Sequence, residues 1–213
     1  LVMREMIVRN RIRNGLLYLQ VTRGAAKRDH LPPKDPPRPS LIMTIRPHDS
    51  AAMAARRENG IAVAGEPDQR WARCDIKTVQ LLPNLLARQA AKAKGAGEAW
   101  LVDRDGFVTE AAAANAWIVD EKGELITRDL SRAILPGVTR AIILEAARDA
   151  GLTVRERKFT IAEAKKAREA FQSSASGAAV PVVHIDDAPV ADGKPGPLTR
   201  RIRELYARKA GIE

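Results

Sequence analysis

Residues 98–127 hold two β-hairpins in direct succession, and that arrangement limits the folds open to the rest of the chain. EAWLVDRDGFVTEA (98–111) sets apolar runs on either side of Arg104-Asp105-Gly106, and NAWIVDEKGELIT (115–127) repeats the pattern around Lys122-Gly123. Glycine beside a polar residue accepts the positive φ that a tight hairpin turn demands. Hairpins join antiparallel neighbours, whereas a doubly wound sheet needs long crossovers between parallel strands. The two hairpins therefore imply a mixed or antiparallel sheet.

The flanking segments supply both strands and helices. After Asn14-Gly15, LLYLQVTRG (16–24) reads as a buried strand, and SLIMTIRP (40–47) as a second. Five prolines between residues 32 and 39 make the connection a loop. Residues 50–58 read as a short helix closed by Asn59-Gly60, followed by the strand IAVAG (61–65). Leu81–Lys94 reads as a helix stopped by Gly95, and LPGVTRAIILEAARDAG (135–151) as one entered through Pro-Gly and stopped by Gly151. TVRERKFT (153–160), AFQSS (170–174) and AAVPVVHI (178–185) read as strands, with a short helix expected over 161–168 and a final helix over 197–209. The order is α+β, without internal repeat. The opening LVMREMIVRNR places Val2, Met6 and Ile7 on one side and Arg4, Arg9 and Asn10 on the other. Starting at Leu1, it reads as the end of a helix whose beginning lies in a missing N-terminal portion.

Composition narrows the function classes. A chain of 213 residues that is 45% hydrophobic buries a sizeable core, and no apolar run approaches the roughly 20 residues of a membrane span. Charge is mixed into the first residues, unlike a signal peptide. The lone Cys74 rules out an internal disulfide and fits a reducing cytoplasm. A net charge of +10, from 36 Lys and Arg against 26 Asp and Glu, invites nucleic-acid binding. The cations are dispersed, however, and only 4% of residues are aromatic, leaving little material for stacking on bases. A nucleic-acid partner is not expected.

No glycine-rich phosphate loop, CxxC or HExxH occurs, and three widely separated histidines do not suggest a metal site. The remaining candidates are isolated groups. CDIKTVQLLPN (74–84) holds Lys77 between apolar neighbours, either as an edge lysine with its ammonium in water or as a chemically used amine. Leu135-Pro136-Gly137-Val138-Thr139-Arg140 opens onto a helix, whose free amides and dipole suit a phosphate, with the Thr139 hydroxyl as a further donor; it equally suits an ordinary helix start. Ser173-Ser174-Ala175-Ser176-Gly177 is a second hydroxyl-rich turn, either anion-binding or simply a loop. Glu110 closes a strand before four alanines, as an acid beside a flat ligand or as an edge charge. Arg28 and His30, two apart on the proline-rich loop, either clasp a carboxylate or lie solvated.

TRGAAKRDH, DIKTVQLLPN, VTEAAAANAWIV, ILPGVTR, SSASGAAVPVVHID and DGKPGPLTR, in that order, resemble the class IV, fold-type IV pyridoxal-phosphate aminotransferases over essentially the whole chain. The resemblance implies a mixed, barrel-like large domain with surrounding helices over 47–213. Residues 1–46 would hold the end of a small-domain helix, a strand, a carboxylate-binding loop and the following strand. It implies that Lys77 is the catalytic lysine that carries pyridoxal 5'-phosphate, and that Glu110 meets its ring nitrogen. Leu135 would pack on the ring, Val138 and Thr139 would hold the phosphate, and Ser174 and Ala175 would form the second phosphate-contacting turn. The Arg28/His30 pair resembles D-amino-acid aminotransferases within the family, where it receives the substrate carboxylate.

The expected reaction transfers an amino group from a D-amino acid such as D-alanine to a 2-oxo acid such as 2-oxoglutarate. Alternatives are an aminodeoxychorismate lyase, a branched-chain aminotransferase, or a non-catalytic basic module for acidic partners. The family implies a homodimer. It also implies an N-terminal segment of about 70 residues, on this chain or as a separate one, that contributes an arginine to the phosphate and an aromatic residue to the substrate pocket. Two departures stand out. Ala175 replaces a frequent threonine, and Ala111–Ala114 replace frequent serines, removing hydroxyls near the ring.

Overall fold

A computed structural model describes residues 2–212, so the expectation attached to Leu1 lies outside the described residues. Two compact units are present, Leu1–Met53 and Ala54–Glu213. The first contains α1 (Val2–Asn10), β1 (Gly15–Thr22) and β2 (Ser40–Pro47), and α2 (Ser50–Asn59) carries the division. β1 and β2 pair antiparallel from Gly15 opposite Pro47 to Thr22 opposite Ser40. The expected burial of β1 is not found: each of its residues is exposed or half-buried, since a two-stranded ribbon builds no buried interior by itself. Residues 23–39 form the loop that the prolines require.

In the second unit the elements run β3 (Ile61–Pro67), α3 (Leu82–Ala93), β4 (Glu98–Val102), β5 (Val108–Ala111), β6 (Asn115–Val119), β7 (Leu125–Thr127), α4 (Val138–Asp149), β8 (Val154–Glu156), α5 (Ile161–Lys166), β9 (Glu169–Ser174), β10 (Gly177–Ile185), β11 (Ala188–Pro189) and α6 (Pro197–Ala210). Both hairpins form as expected, by the same local chemistry. Asp103 Oδ1 accepts the amides of Asp105 and Phe107 before Gly106, and Asp120 Oδ1 accepts those of Lys122 and Glu124 around Gly123. Both glycines have positive φ, 85° and 81°. The strand expected over 153–160 is shorter. It ends at Glu156, and Thr160 instead caps α5 by accepting the Glu163 amide.

The sheet order is β5-β4-β3-β10-β9-β6-β7-β8, with β11 added to β10. β3 runs parallel to β4 and β10, β7 runs parallel to β8, and the other pairs are antiparallel, which gives the mixed sheet expected. Its two edges meet: Phe107 bridges Thr160, and the Val108 amide donates to Phe159 O at 2.8 Å. The sheet thus curls into the barrel-like form.

Alternation along the strands sorts side chains between the faces. Val63, Trp100, Ala116, Ile118, Ala170 and Val182 share one buried cluster with Phe159 and Ala164. On the opposite face, Ala64, Ala99 and Leu101 pack beneath α3, and Trp117, Val119 and Phe171 beneath α4 and α6. Trp117 stacks on Phe171, with ring centroids 5.4 Å apart and planes 8° from parallel, and its indole N–H donates to Ser173 Oγ at 2.9 Å. Glu169 sits under the start of α6, accepting the amides of Leu198 and Thr199 and the Thr199 hydroxyl. Among the described residues, no helix is long and apolar enough to cross a membrane, and no group of three or more metal-ligating side chains occurs.

Candidate active site

Glu110 is the best-defined member of the site. It ends β5, is 5% exposed, and is therefore not the edge charge that sequence alone left open. A buried carboxylate must be bonded on its lone pairs or neutralised, and this one is bonded. Arg70 Nη1 donates to Oε1, Asn115 Nδ2 donates to Oε2 at 3.0 Å, and the Leu135 amide lies 3.2 Å from both oxygens. Burial nevertheless pushes the Glu110 carboxyl up to about 7, against the opposing pull of Arg70 and the Leu135 amide.

Asn115 begins β6 and ties Glu110 to the start of α4. Its Nδ2 also donates to Leu135 O at 3.0 Å, and its Oδ1 occupies the space where a Cβ on Gly137 would stand. Gly137 is the N-cap of α4 and supplies no side-chain cap, so the first-turn amides at Val138 and Thr139 carry the helix's positive end without a side-chain acceptor from the cap. Thr139 is buried and Val138 exposed. Asn115 also lies opposite Ser173 in the β6–β9 ladder, which brings the turn after β9 to the same end of the sheet. In that turn the hydroxyls of Ser174 and Ser176 stand 3.4 Å apart, and Ala175 is exposed.

Lys77 lies on coil between the turn at Cys74 and α3. The segment is pinned on both sides: the Cys74 amide donates to Arg132 O at 2.8 Å, and Asn84 Nδ2 to Ala112 O at 2.7 Å. Lys77 is exposed, and its apolar neighbours Ile76 and Val79 are 42% and 69% exposed. Arg28 and His30 lie in the first unit, both exposed on the 23–39 loop, where Asp29 accepts the amides of His30 and Leu31 in an Asx turn.

Arg70, Asp68 and Asn115 were not expected. Asp68 Oδ1 and Oδ2 accept from Arg70 Nε and Nη2 at 2.9 and 2.8 Å in a bidentate pair, and the Thr109 hydroxyl donates to Oδ2 at 2.7 Å. Burial works to raise the Asp68 carboxyl, but the Arg70 and Thr109 bonds overcome it and hold the group below its ordinary value. Burial likewise pushes the nearby Cys74 thiol up. The only trace of this array in the sequence was an arginine two residues after an acid in EPDQR (66–70), a spacing that also fits a solvated turn.

The donor set has distinct ends: a buried anion at Glu110, a helix start with a hydroxyl at Thr139, a hydroxyl turn at Ser174 and Ser176, and an accessible amine at Lys77. Such a set fits a ligand with a basic ring nitrogen, a phosphate and an aldehyde, which is the chemistry of pyridoxal phosphate.

Comparison with known proteins agrees. Residues 2–185 match the family described as amino-transferase class IV. A D-alanine aminotransferase of Staphylococcus haemolyticus is 39% identical over 209 residues, which cover 96% of this chain and 71% of that protein. Among solved structures, the Escherichia coli branched-chain amino acid aminotransferase is similar with a TM-score of 0.80 at 26% identity, covering 95% of this chain and 67% of that one. The branched-chain amino acid aminotransferase from Thermobaculum terrenum, solved in its pyridoxal-phosphate form, shares the fold with a TM-score of 0.85 at 24% identity, covering 98% and 69%. The chain belongs to the class IV aminotransferases, a family of pyridoxal-phosphate-dependent transaminases.

Proposed function

We propose that the chain transfers an amino group from a D-amino acid, of the D-alanine type, to a 2-oxo acid such as 2-oxoglutarate. The observation that carries this reading is the 39% identity, over 96% of the chain, to a protein named D-alanine aminotransferase. Arg28 and His30 support it as a guanidinium and an imidazole suited to a substrate carboxylate. A branched-chain substrate is the second reading, favoured by the similarity to the Escherichia coli branched-chain enzyme.

Bound pyridoxal phosphate supplies an aldehyde that takes the amino group and a ring that draws electrons from the substrate. Lys77 binds the cofactor through its Nζ, and the same nitrogen moves the proton at the substrate α-carbon. Glu110 holds a proton at the ring nitrogen. The amides of Val138 and Thr139, with the Thr139 hydroxyl, hold the phosphate, helped by Ser174 and the backbone at Ala175. Leu135 covers the ring, and its amide keeps Glu110 in place. Arg28 and His30 orient the substrate carboxylate. A homodimer in the cytoplasm fits this reading, supported by the exposed apolar side chains of Trp71, Leu81, Leu82, Leu85 and Leu86 and by the single cysteine.

Purified protein supplied with pyridoxal phosphate, D-alanine and 2-oxoglutarate should yield pyruvate and D-glutamate, resolved by chiral chromatography. Turnover of L-leucine with none of D-alanine would support the branched-chain reading instead. Lys77→Ala should abolish turnover, and borohydride should then fix no cofactor to the chain. Cofactor mass retained on the variant after reduction would remove Lys77 from its role.

A further inference from the structure

The array beneath Glu110 carries more charge logic than a structural ion pair needs. Arg70, with a side chain only 9% exposed, is held on three sides: by both oxygens of Asp68, by Glu110 Oε1, and by Ala133 O and Thr109 Oγ1 at 3.0 and 3.3 Å from Nη2. One guanidinium faces two carboxylates, so the cluster carries a surplus negative charge when both acids are ionised. An isolated surplus charge is costly in a buried site. Both carboxylates are bonded, Asp68 by Arg70 and the Thr109 hydroxyl, and Glu110 by Arg70, Asn115 and the Leu135 amide. Arg70 is the one guanidinium they share, so the charge on Asp68 bears on Glu110 through it.

We propose that Asp68 and Arg70 are opposed positioning residues for Glu110: Arg70 holds the carboxylate in place and favours its anion, while Asp68 offsets Arg70 so that the carboxylate keeps enough affinity to hold a proton at a ring nitrogen. This inference rests on the reading of Glu110 as the partner of the cofactor ring. Neither residue touches the reacting atoms; both act through Glu110. The direction of each group agrees. Glu110 is raised, with Arg70 working against the rise and Asp68 adding to it. Asp68 is lowered by its bonds to Arg70 and Thr109. Arg70 and Asp68 are the charged groups that act on Glu110, Glu110 in turn acts on the Cys74 thiol, and Asn115 and the Leu135 amide are neutral donors to it.

The test is a pH titration of the Glu110 side-chain carboxyl by carbon-13 NMR in the cofactor-free protein, assigned with Glu110→Gln. Arg70→Gln should move the midpoint upward and Asp68→Asn downward, each by about 1–3 pH units, the range for loss or gain of a neighbouring charge. Arg70→Lys, which keeps a cation, should stay nearer the parent midpoint than Arg70→Gln. Opposite signs cannot come from general loosening, which would move both variants the same way. Shifts of the same sign, or no shift in either, would overturn the proposal. Pyridoxal phosphate affinity, followed by absorbance across pH, separates this inference from the reading beneath it. If Glu110→Gln leaves affinity and its pH profile unchanged, the ring-nitrogen reading fails. If Glu110→Gln changes them but the NMR shifts are missing, only the Asp68–Arg70 inference fails.

Discussion

Glu110 reaches its buried place with its carboxyl raised to about 7, so its protonation is linked to folding. Between the ordinary value of 4.5 and about 7 the folded chain binds a proton that the unfolded chain has released. The stabilisation is therefore full below about 4.5 and is lost as pH climbs through 7. Cofactor-free protein should show a lower denaturation midpoint at pH 8 than at pH 5.5, and Glu110→Gln should flatten that slope. A Glu110→Gln variant that loses midpoint over the same interval as steeply as the parent would assign the slope to other groups. Asp68 contributes with the opposite sign, its stabilisation disappearing only as pH falls below its ordinary 3.8. At this scale the sequence was partly legible. Glu110 stood out by its place before four small residues, although its burial did not. Arg70 was hidden because its partners Thr109 and Glu110 lie 39 and 40 residues away, and no local pattern encodes a pairing across that separation.

Among the elements, the start of α4 is the most sensitive. Gly137 has φ −62°, which any residue adopts, so its requirement is one of space and not of backbone conformation. A Cβ there would overlap Asn115 Oδ1, and Asn115 cannot retreat freely because its amide is bonded to Glu110 and to Leu135 O. Gly137→Ala should weaken pyridoxal phosphate binding about tenfold, equivalent to about 1.4 kcal/mol, while leaving the far-ultraviolet circular dichroism of the fold intact. Unchanged affinity would mean that Asn115 repacks without moving Glu110. Secondary structure was largely readable because its signals are local: an aspartate–glycine turn for each hairpin, Gly95 and Gly151 after α3 and α4, and prolines through 32–39. The failures differ in cause. The burial of β1 depends on what other segments cover, which no local pattern records, whereas β8 stops short because Thr160 caps α5 through the Glu163 amide, a local signal that the strand pattern masked.

For the whole molecule, the order of the strands carries a consequence about timing. One half of the sheet, β5-β4-β3, and the other, β9-β6-β7-β8, are joined in the ladder by β10, which pairs with β3 on one side and β9 on the other. β3 and β10 are separated by more than a hundred residues, and such distant pairings are slow to form because the intervening chain must first be closed into a loop. A nascent chain emerging from the ribosome would hold both hairpins long before it holds the strand that unites them. Chains ended after residue 176 should bind the dye ANS and lack a cooperative urea transition, whereas chains ended after α6 should unfold cooperatively. During the interval before β10 is made, the edges of β3 and β9 that it will pair stay open to any other chain, and the yield of folded enzyme in a crowded cell is then a contest between the arrival of one strand and aggregation.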